Sequence, residues 1–200
     1  MPSNRLQECE PEKGKKDFGA EVARRLFDNR IIMYAREVTR ESAQQIIAQL
    51  LALSEEDDSK PIRMFLNSPG GDVDAGFAIF DVIRFIKAPV HMVCTGLVAS
   101  AGVIILLASP KERRYSLRSA RFLIHQPSSG THGDASDIEI EANEILKCRQ
   151  AINRLIAEET GQDIEKVEEG TRRNFWMSAE QALDYGLVSK IVERADELND

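Results

Sequence analysis

Cysteine is scarce in this chain. Cys9, Cys94 and Cys148 are the three in 200 residues, they lie far apart, and no CxxC occurs. That argues against a disulfide framework and a cysteine-built zinc site, and it fits a reducing cytoplasm, the expected location. Cys94, in VHMVCT, reads as buried strand filler, and all three as inert thiols. Histidine is equally rare, and His91, His125 and His132 lack ligand spacing, so no metal is expected. No membrane span is expected either: the longest apolar run, 97–109, is broken by Ser100 and Gly102 and falls short of the roughly 20 residues a span needs. Positive charge is in deficit, with 26 Lys+Arg against 33 Asp+Glu and a net charge of −7, and no basic stripe marks a nucleic-acid binder. The N-terminal segment PSNRLQECEPEKGKK has no apolar core of a secretory signal.

What is present describes one globular domain of ordinary size, 42% hydrophobic and 30% charged. Residues 1–16 read as a flexible N-terminal segment, 17–193 as a single domain and 194–200 as an acidic tail. FGAEVARRLFD (18–28) is amphipathic, and 31–38 reads as a strand. Ala43, Ile46, Ile47, Leu50 and Leu51 recur on one helical face. The strand IRMFLN, the helical DAGFAIFDVIRFIK, the strand VHMVCT and the apolar helix AGVIILLAS follow. Strands around RRYSLRS and RFLIHQ come next, then PSSGTHGDAS as a loop or weak exposed strand. A long helix over 136–160 ends at Gly161, and a helix of that length projects from the core. Ser178 and Gln181 make a capping box for AEQALDY, closed by Gly186, before a last strand LVSKIV. Apolar strands alternating with helices predict an α/β fold with largely parallel strands sandwiched by helices.

Three segments carry candidate chemistry. Ser100, in TGLVASAG, opens the apolar helix among small residues, which leave room for an incoming carbonyl. The helix N-terminus offers free N–H groups to developing negative charge. Against this, serines commonly cap helices, and the segment is not a GxSxG elbow. His125 ends an apolar strand before Gln126 and Pro127, where a structural histidine is also common. NSPGG (67–71) is a tight turn whose N–H groups can line a concavity; no GK[ST] follows, so it is not a Walker loop.

Together these segments resemble the proteolytic subunit of the Clp protease, over about residues 17–193. LNSPGGDVDAGFAIFD, CTGLVASAGVIIL, FLIHQPSSGTHGDASDIEIEANEIL and WMSAEQALDYGLV carry the resemblance. It implies a spiral of ββα units with a projecting handle, here residues 126–160. It also implies a serine peptidase with a Ser-His-Asp triad, assembled as two stacked seven-membered rings. A hexameric Clp ATPase would thread unfolded polypeptide into the chamber, so ATP is used by the partner and no cofactor by this subunit. By position, Ser100 is the implied nucleophile, His125 the implied base, and the N–H groups of Gly71 and Ala101 the implied oxyanion hole. The loop before the handle resembles the strand against which substrates pair, and residues 1–16 correspond to the axial gate.

Two positions depart from the family. Its orienting aspartate falls on Asn174, and neither Asp163 nor Asp184 stands at that position. An asparagine oxygen can accept the Nδ1–H bond but does not stabilise an imidazolium as a carboxylate does. In the general triad template that swap costs about 10⁴ in turnover. Arg63 stands where the family carries an aromatic in its ATPase-docking pocket, alongside Phe65, Val93, Tyr115, Leu117 and Val192. An arginine there disfavours an apolar docking loop, unless it snorkels. Both departures point to the less autonomous member of a mixed assembly with a second peptidase subunit. The alternatives are therefore an active serine peptidase, a weakly active or inactive structural subunit, and an acyl-CoA enzyme of the crotonase-like superfamily, against which the Ser-His pair argues.

Overall fold

The computed structural model describes residues 18–128, 130 and 132–198. The axial segment expected at 1–16 lies outside them. Seven strands form one sheet: β1 (Ile31–Tyr34), β2 (Ile62–Ser68), β3 (Val90–Ala99), β4 (Arg114–Leu117), β5 (Arg121–Ile124), β6 (Phe175–Ser178) and β7 (Lys190–Val192). Seven α-helices connect or flank them: α1 (Phe18–Asp28), α2 (Arg40–Glu56), α3 (Val73–Phe85), α4 (Ala101–Leu107), α5 (Ala135–Thr160), α6 (Ile164–Thr171) and α7 (Ala179–Tyr185). The main path runs β1-β2-β3-β4-β7, and β5 pairs with both β3 and β6. Every pairing is parallel except β5 with β6. The sheet therefore forks at β3, whose first half pairs with β4 and whose last three residues pair with β5.

β2 shows why the sheet forms where it does. Ile62, Met64, Leu66 and Ser68 are buried, while Arg63 and Phe65 stay half-buried on the opposite face. Helix α2 begins at a reciprocal cap in which Ser42 N donates to Thr39 Oγ1 (3.1 Å) and Thr39 N donates to Ser42 Oγ (2.9 Å). Its Ile46, Leu50 and Leu53 then enter the core.

Several boundaries differ from the sequence expectation. The strand expected over 31–38 stops at Tyr34, and Val38 makes only a single bridge to Gly71. β3 continues through Gly96 (φ 55°) to Ala99, because Asn67 Oδ1 accepts from Leu97 N (3.1 Å) across the bend. The last strand spans only Lys190–Val192, and 127–134 forms no strand among the described residues. α6 and β6 had no expectation, though Asn174 lies in the turn between them.

Helix α5 is 26 residues, about 39 Å at 1.5 Å per residue. Its buried residues, Ile152, Asn153, Ile156 and Thr160, all belong to the C-terminal part. The N-terminal half leaves Ile138, Ile140 and Leu146 exposed, as a projecting handle would. An ion cluster fastens the root. Arg114, fully buried, donates to Ser109 O (2.6 Å) and Glu159 O (3.0 Å) and pairs with the Glu159 carboxylate. Arg84 reaches the same carboxylate at 2.5 Å.

Candidate active site

Ser100 lies between the end of β3 and the start of α4, with φ 54° and ψ −124°. That conformation is strained for a residue with a Cβ and costs on the order of 1–3 kcal/mol. The neighbours compensate: Ser100 N donates to Leu123 O of β5 (2.9 Å), and Val103 N donates to Ser100 O (2.8 Å). The hydroxyl does not cap the helix, so Oγ is free for other work. The chain thus builds a strained strand-to-helix turn at a serine without the GxSxG pattern. Its sequence signal is Ala99, Ala101 and Gly102, the small residues that such a tight turn admits.

The NSPGG turn packs directly on this elbow. A Cβ built on Gly70 (φ 94°) would lie 2.6 Å from Ser100 Cβ and 2.7 Å from Ala99 O, so only glycine fits. A Cβ on Gly71 (φ 142°) would meet Val38 O at 2.2 Å. The turn is pinned by Val38 N to Gly70 O and Asp72 N to Val38 O, both 2.8 Å. The N–H groups of Gly71 and Ala101 take no acceptor among the described residues. Two such donors beside a hydroxyl are able to bind an oxyanion.

His125 follows β5 directly. β5 and β6 run antiparallel with Ile124 opposite Phe175, so one step further sets His125 opposite Asn174. Gln126 clamps the junction: its N donates to Thr171 O (2.7 Å) and its Nε2 to Arg172 O (3.1 Å). Sequence reasoning missed this clamp. Partial burial holds the His125 imidazole below its ordinary range, because the charged form loses hydration.

Ser100 and His125 line one small cavity of about 20 Å³ with Val73, Ile104, Ile124, Pro127, Ile152 and Ile156. Its walls are apolar, and two of them come from the anchored root of α5. On its other side His125 lines an open cavity of about 490 Å³ with Gln126, Pro127, Ser128, Arg172, Arg173 and Asn174. The structure therefore brings Ser100, His125 and Asn174 into one sequence of neighbours. Among the described residues no hydrogen bond joins them, and Asn174 is exposed.

The other candidates fall elsewhere. His91 is buried in β3 beside Tyr115, with ring centroids 6.0 Å apart, and His132 sits in the exposed loop before α5. Burial raises the Cys94 and Cys148 thiols above their ordinary range, which keeps both protonated. Asp163 sits at the N-cap position of α6 and Asp184 on α7, and neither lines a cavity with His125. Among the described residues no group of three His, Cys, Asp or Glu is placed to hold a metal ion, and no helix is long and apolar enough to cross a membrane.

Known proteins similar to this chain cover most of its length. The Clp protease family model matches residues 14–195. ATP-dependent Clp protease proteolytic subunit 2 of Treponema pallidum (strain Nichols) is 51% identical over 174 residues, covering 87% of each chain. ATP-dependent Clp protease proteolytic subunit 3 of Rhizobium johnstonii is 50% identical over 175 residues, covering 88% of this chain and 90% of the relative. Among solved structures, an asparagine-to-aspartate mutant of ClpP1 from Listeria monocytogenes superposes with a TM-score of 0.83 at 46% identity, covering 89% of this chain and 99% of the other.

Proposed function

This chain belongs to the Clp protease family, and on that premise we propose that Ser100, His125 and Asn174 form its catalytic set. The chain is a proteolytic subunit, and the family is one of serine peptidases that assemble in rings with Clp ATPases. The observation behind the residue assignment is the strained turn at Ser100. It holds a hydroxyl free of capping duty beside His125, with two N–H groups unengaged nearby.

The chemistry follows from those positions. Ser100 Oγ attacks the peptide carbonyl carbon while His125 takes its proton. The carbonyl oxygen gains negative charge between the N–H groups of Gly71 and Ala101. Collapse breaks the C–N bond as His125 returns the proton to the leaving amine. Water then attacks the acyl-enzyme with His125 again as base. The apolar walls beside Ser100 favour an apolar side chain on the residue whose carbonyl is attacked, with the small cavity widening to admit it. Asn174 accepts from Nδ1–H through its amide oxygen and keeps the tautomer right, without supplying a charge.

In this reading residues 126–160 are the handle through which two stacked heptameric rings interlock. The loop before α5 pairs with extended polypeptide, and residues 1–16 form the axial gate. A hexameric Clp ATPase that consumes ATP feeds the chamber, and this subunit itself holds no cofactor. Arg63, half-buried beside Phe65 on β2, modifies the docking pocket formed with Val93, Tyr115, Leu117 and Val192.

A second reading, a weakly active or inactive subunit of a mixed assembly, draws on the exposed Asn174 and its missing bond to His125. Labelling of the intact protein with a fluorophosphonate probe, read by mass spectrometry, separates the two. The enzyme reading predicts label on Ser100, none in Ser100→Ala, and labelling slowed by at least about 10² in His125→Ala, the scale of a lost general base. An unlabelled wild type sinks it and favours the second reading.

A further inference from the structure

The strand that begins at Ile31 ends at Tyr34, and two buried hydroxyls mark the place where the chain turns away. Tyr34 is fully buried, and Ser42, in the first turn of α2, is nearly so. Their oxygens lie 2.8 Å apart. Ser42 Oγ is placed to donate to Glu37 O (3.1 Å) or Thr39 O (3.0 Å), and Tyr34 Oη to Glu37 O (3.3 Å). Whichever hydroxyl gives its proton to the other, the second keeps one for a carbonyl of this loop. Burial raises the Tyr34 hydroxyl above its ordinary range, so it remains a donor.

Two consecutive peptide planes join these hydroxyls to the NSPGG turn. The plane between Glu37 and Val38 receives a hydroxyl proton at Glu37 O and donates its Val38 N–H to Gly70 O (2.8 Å). The plane between Val38 and Thr39 donates its Thr39 N–H to Ser42 Oγ (2.9 Å) and accepts the Asp72 N–H at Val38 O (2.8 Å). Each plane is thus held at one end by the hydroxyl pair and at the other by the turn. Gly70 O and Gly71 N–H share one further plane. A trans peptide points its C=O and N–H in opposite directions, so the bond that Gly70 O accepts from Val38 aims the Gly71 N–H. That N–H takes no acceptor among the described residues, so the path ends on an open donor beside the Ser100 turn. A bond accepted by an amide oxygen also polarises the N–H of the same plane, and bonds linked in this way strengthen one another. We propose that Tyr34 and Ser42 are positioning residues for the reaction, whose hydroxyls orient and polarise the Gly71 N–H through the 37–38 and 70–71 peptide planes. The proposal rests on the reading of Gly71 as a donor to the developing oxyanion.

The test compares the intact wild type with Tyr34→Phe, which keeps the ring, and with Tyr34→Phe combined with Ser42→Ala. Thermal melting checks the fold, and Tyr34→Phe carries the test alone if the double variant does not fold. Hydrogen exchange read by mass spectrometry follows peptides covering 35–40 and 69–74, with peptides from α5 as control. Fluorophosphonate labelling reads Ser100, with its limiting rate and its saturation constant separated. Exchange in the two segments is expected to rise about two- to tenfold in Tyr34→Phe, the net worth of one hydrogen bond, and further in the double variant, with α5 unchanged. The limiting rate of labelling is expected to fall about threefold in Tyr34→Phe and about tenfold in the double variant, at an unchanged saturation constant. That is less than the roughly 10²–10³ lost with an oxyanion donor itself. Unchanged exchange at the turn, or a rise spread equally over the chain, overturns the proposal. A local rise with labelling at the wild-type rate overturns the link to the oxyanion. A local rise with a wild type that never labels upholds the held turn and sinks the catalytic reading instead.

Discussion

At the scale of the residue, Ser100 trades stability for position. Its φ of 54° is tolerable to glycine and costly to any residue with a Cβ. Ser100→Gly is therefore expected to exceed Ser100→Ala in stability by about 1 kcal/mol, read as a higher urea midpoint at unchanged slope, while both lack activity. His125 gives a second expectation. In the proposed reading its neutral form is the base, and burial lowers its affinity for protons. It consequently stays neutral, and competent, to a lower pH than an ordinary histidine with its pKa near about 6.5. The acid limb of kcat/KM against pH is expected below that value. Asn174→Asp should move the limb to higher pH, since a carboxylate stabilises the imidazolium. A limb above the ordinary value in the wild type would show that burial does not govern this group.

At the scale of the element, the site depends on how closely the NSPGG turn approaches the start of α4. Gly70→Ala would drive a methyl into Ser100 Cβ and Ala99 O, and the backbone must shift to admit it. It is expected to abolish fluorophosphonate labelling and to destabilise by several kcal/mol, on the order of the largest single-site effects. Gly130→Ala, which meets nothing within 4 Å, should be neutral in both measurements. The same elements show what was legible in the sequence. The apolar face of α2, the caps at Ser178 and Gly186 and the end of α5 at Gly161 were all readable, because each is a local pattern. β6 was not. Its four residues, FWMS, carry no alternation, and only pairing with β5 makes them a strand. α6 was missed because it buries only Val167 and Thr171 and is otherwise mostly charged. Ser100, His125 and Asn174 could be named from their segments. The elbow conformation and the Gln126 clamp arise from contacts between β3, β5 and the α6–β6 turn, which no local pattern encodes.

At the scale of the whole molecule, the fold separates a rooted half of α5 from a projecting one. The root, held by Arg114 and Glu159, gives Ile152 and Ile156 to the wall of the Ser100 cavity. The free half exposes Ile138 and Ile140, apolar area that a lone chain has no reason to present. Ile140→Asp is expected to shift sedimentation from ring-sized species toward smaller ones, without lowering the melting of the individual fold by more than about 0.5 kcal/mol, as for an ordinary surface change. Unchanged sedimentation would mean that this face is not part of the assembly. The turn between α6 and β6 carries Arg172, Arg173 and Asn174, and the cavity they share with His125 has no Asp or Glu in its lining. The most direct measurement is peptide hydrolysis by the purified wild type beside Asn174→Asp and Ser100→Ala. A feeble wild type, a rise of at least about tenfold in Asn174→Asp, within the roughly 10⁴ that a missing triad carboxylate can cost, and a dead Ser100→Ala are predicted. An Asn174→Asp no faster than the wild type would contradict a triad limited by its third member.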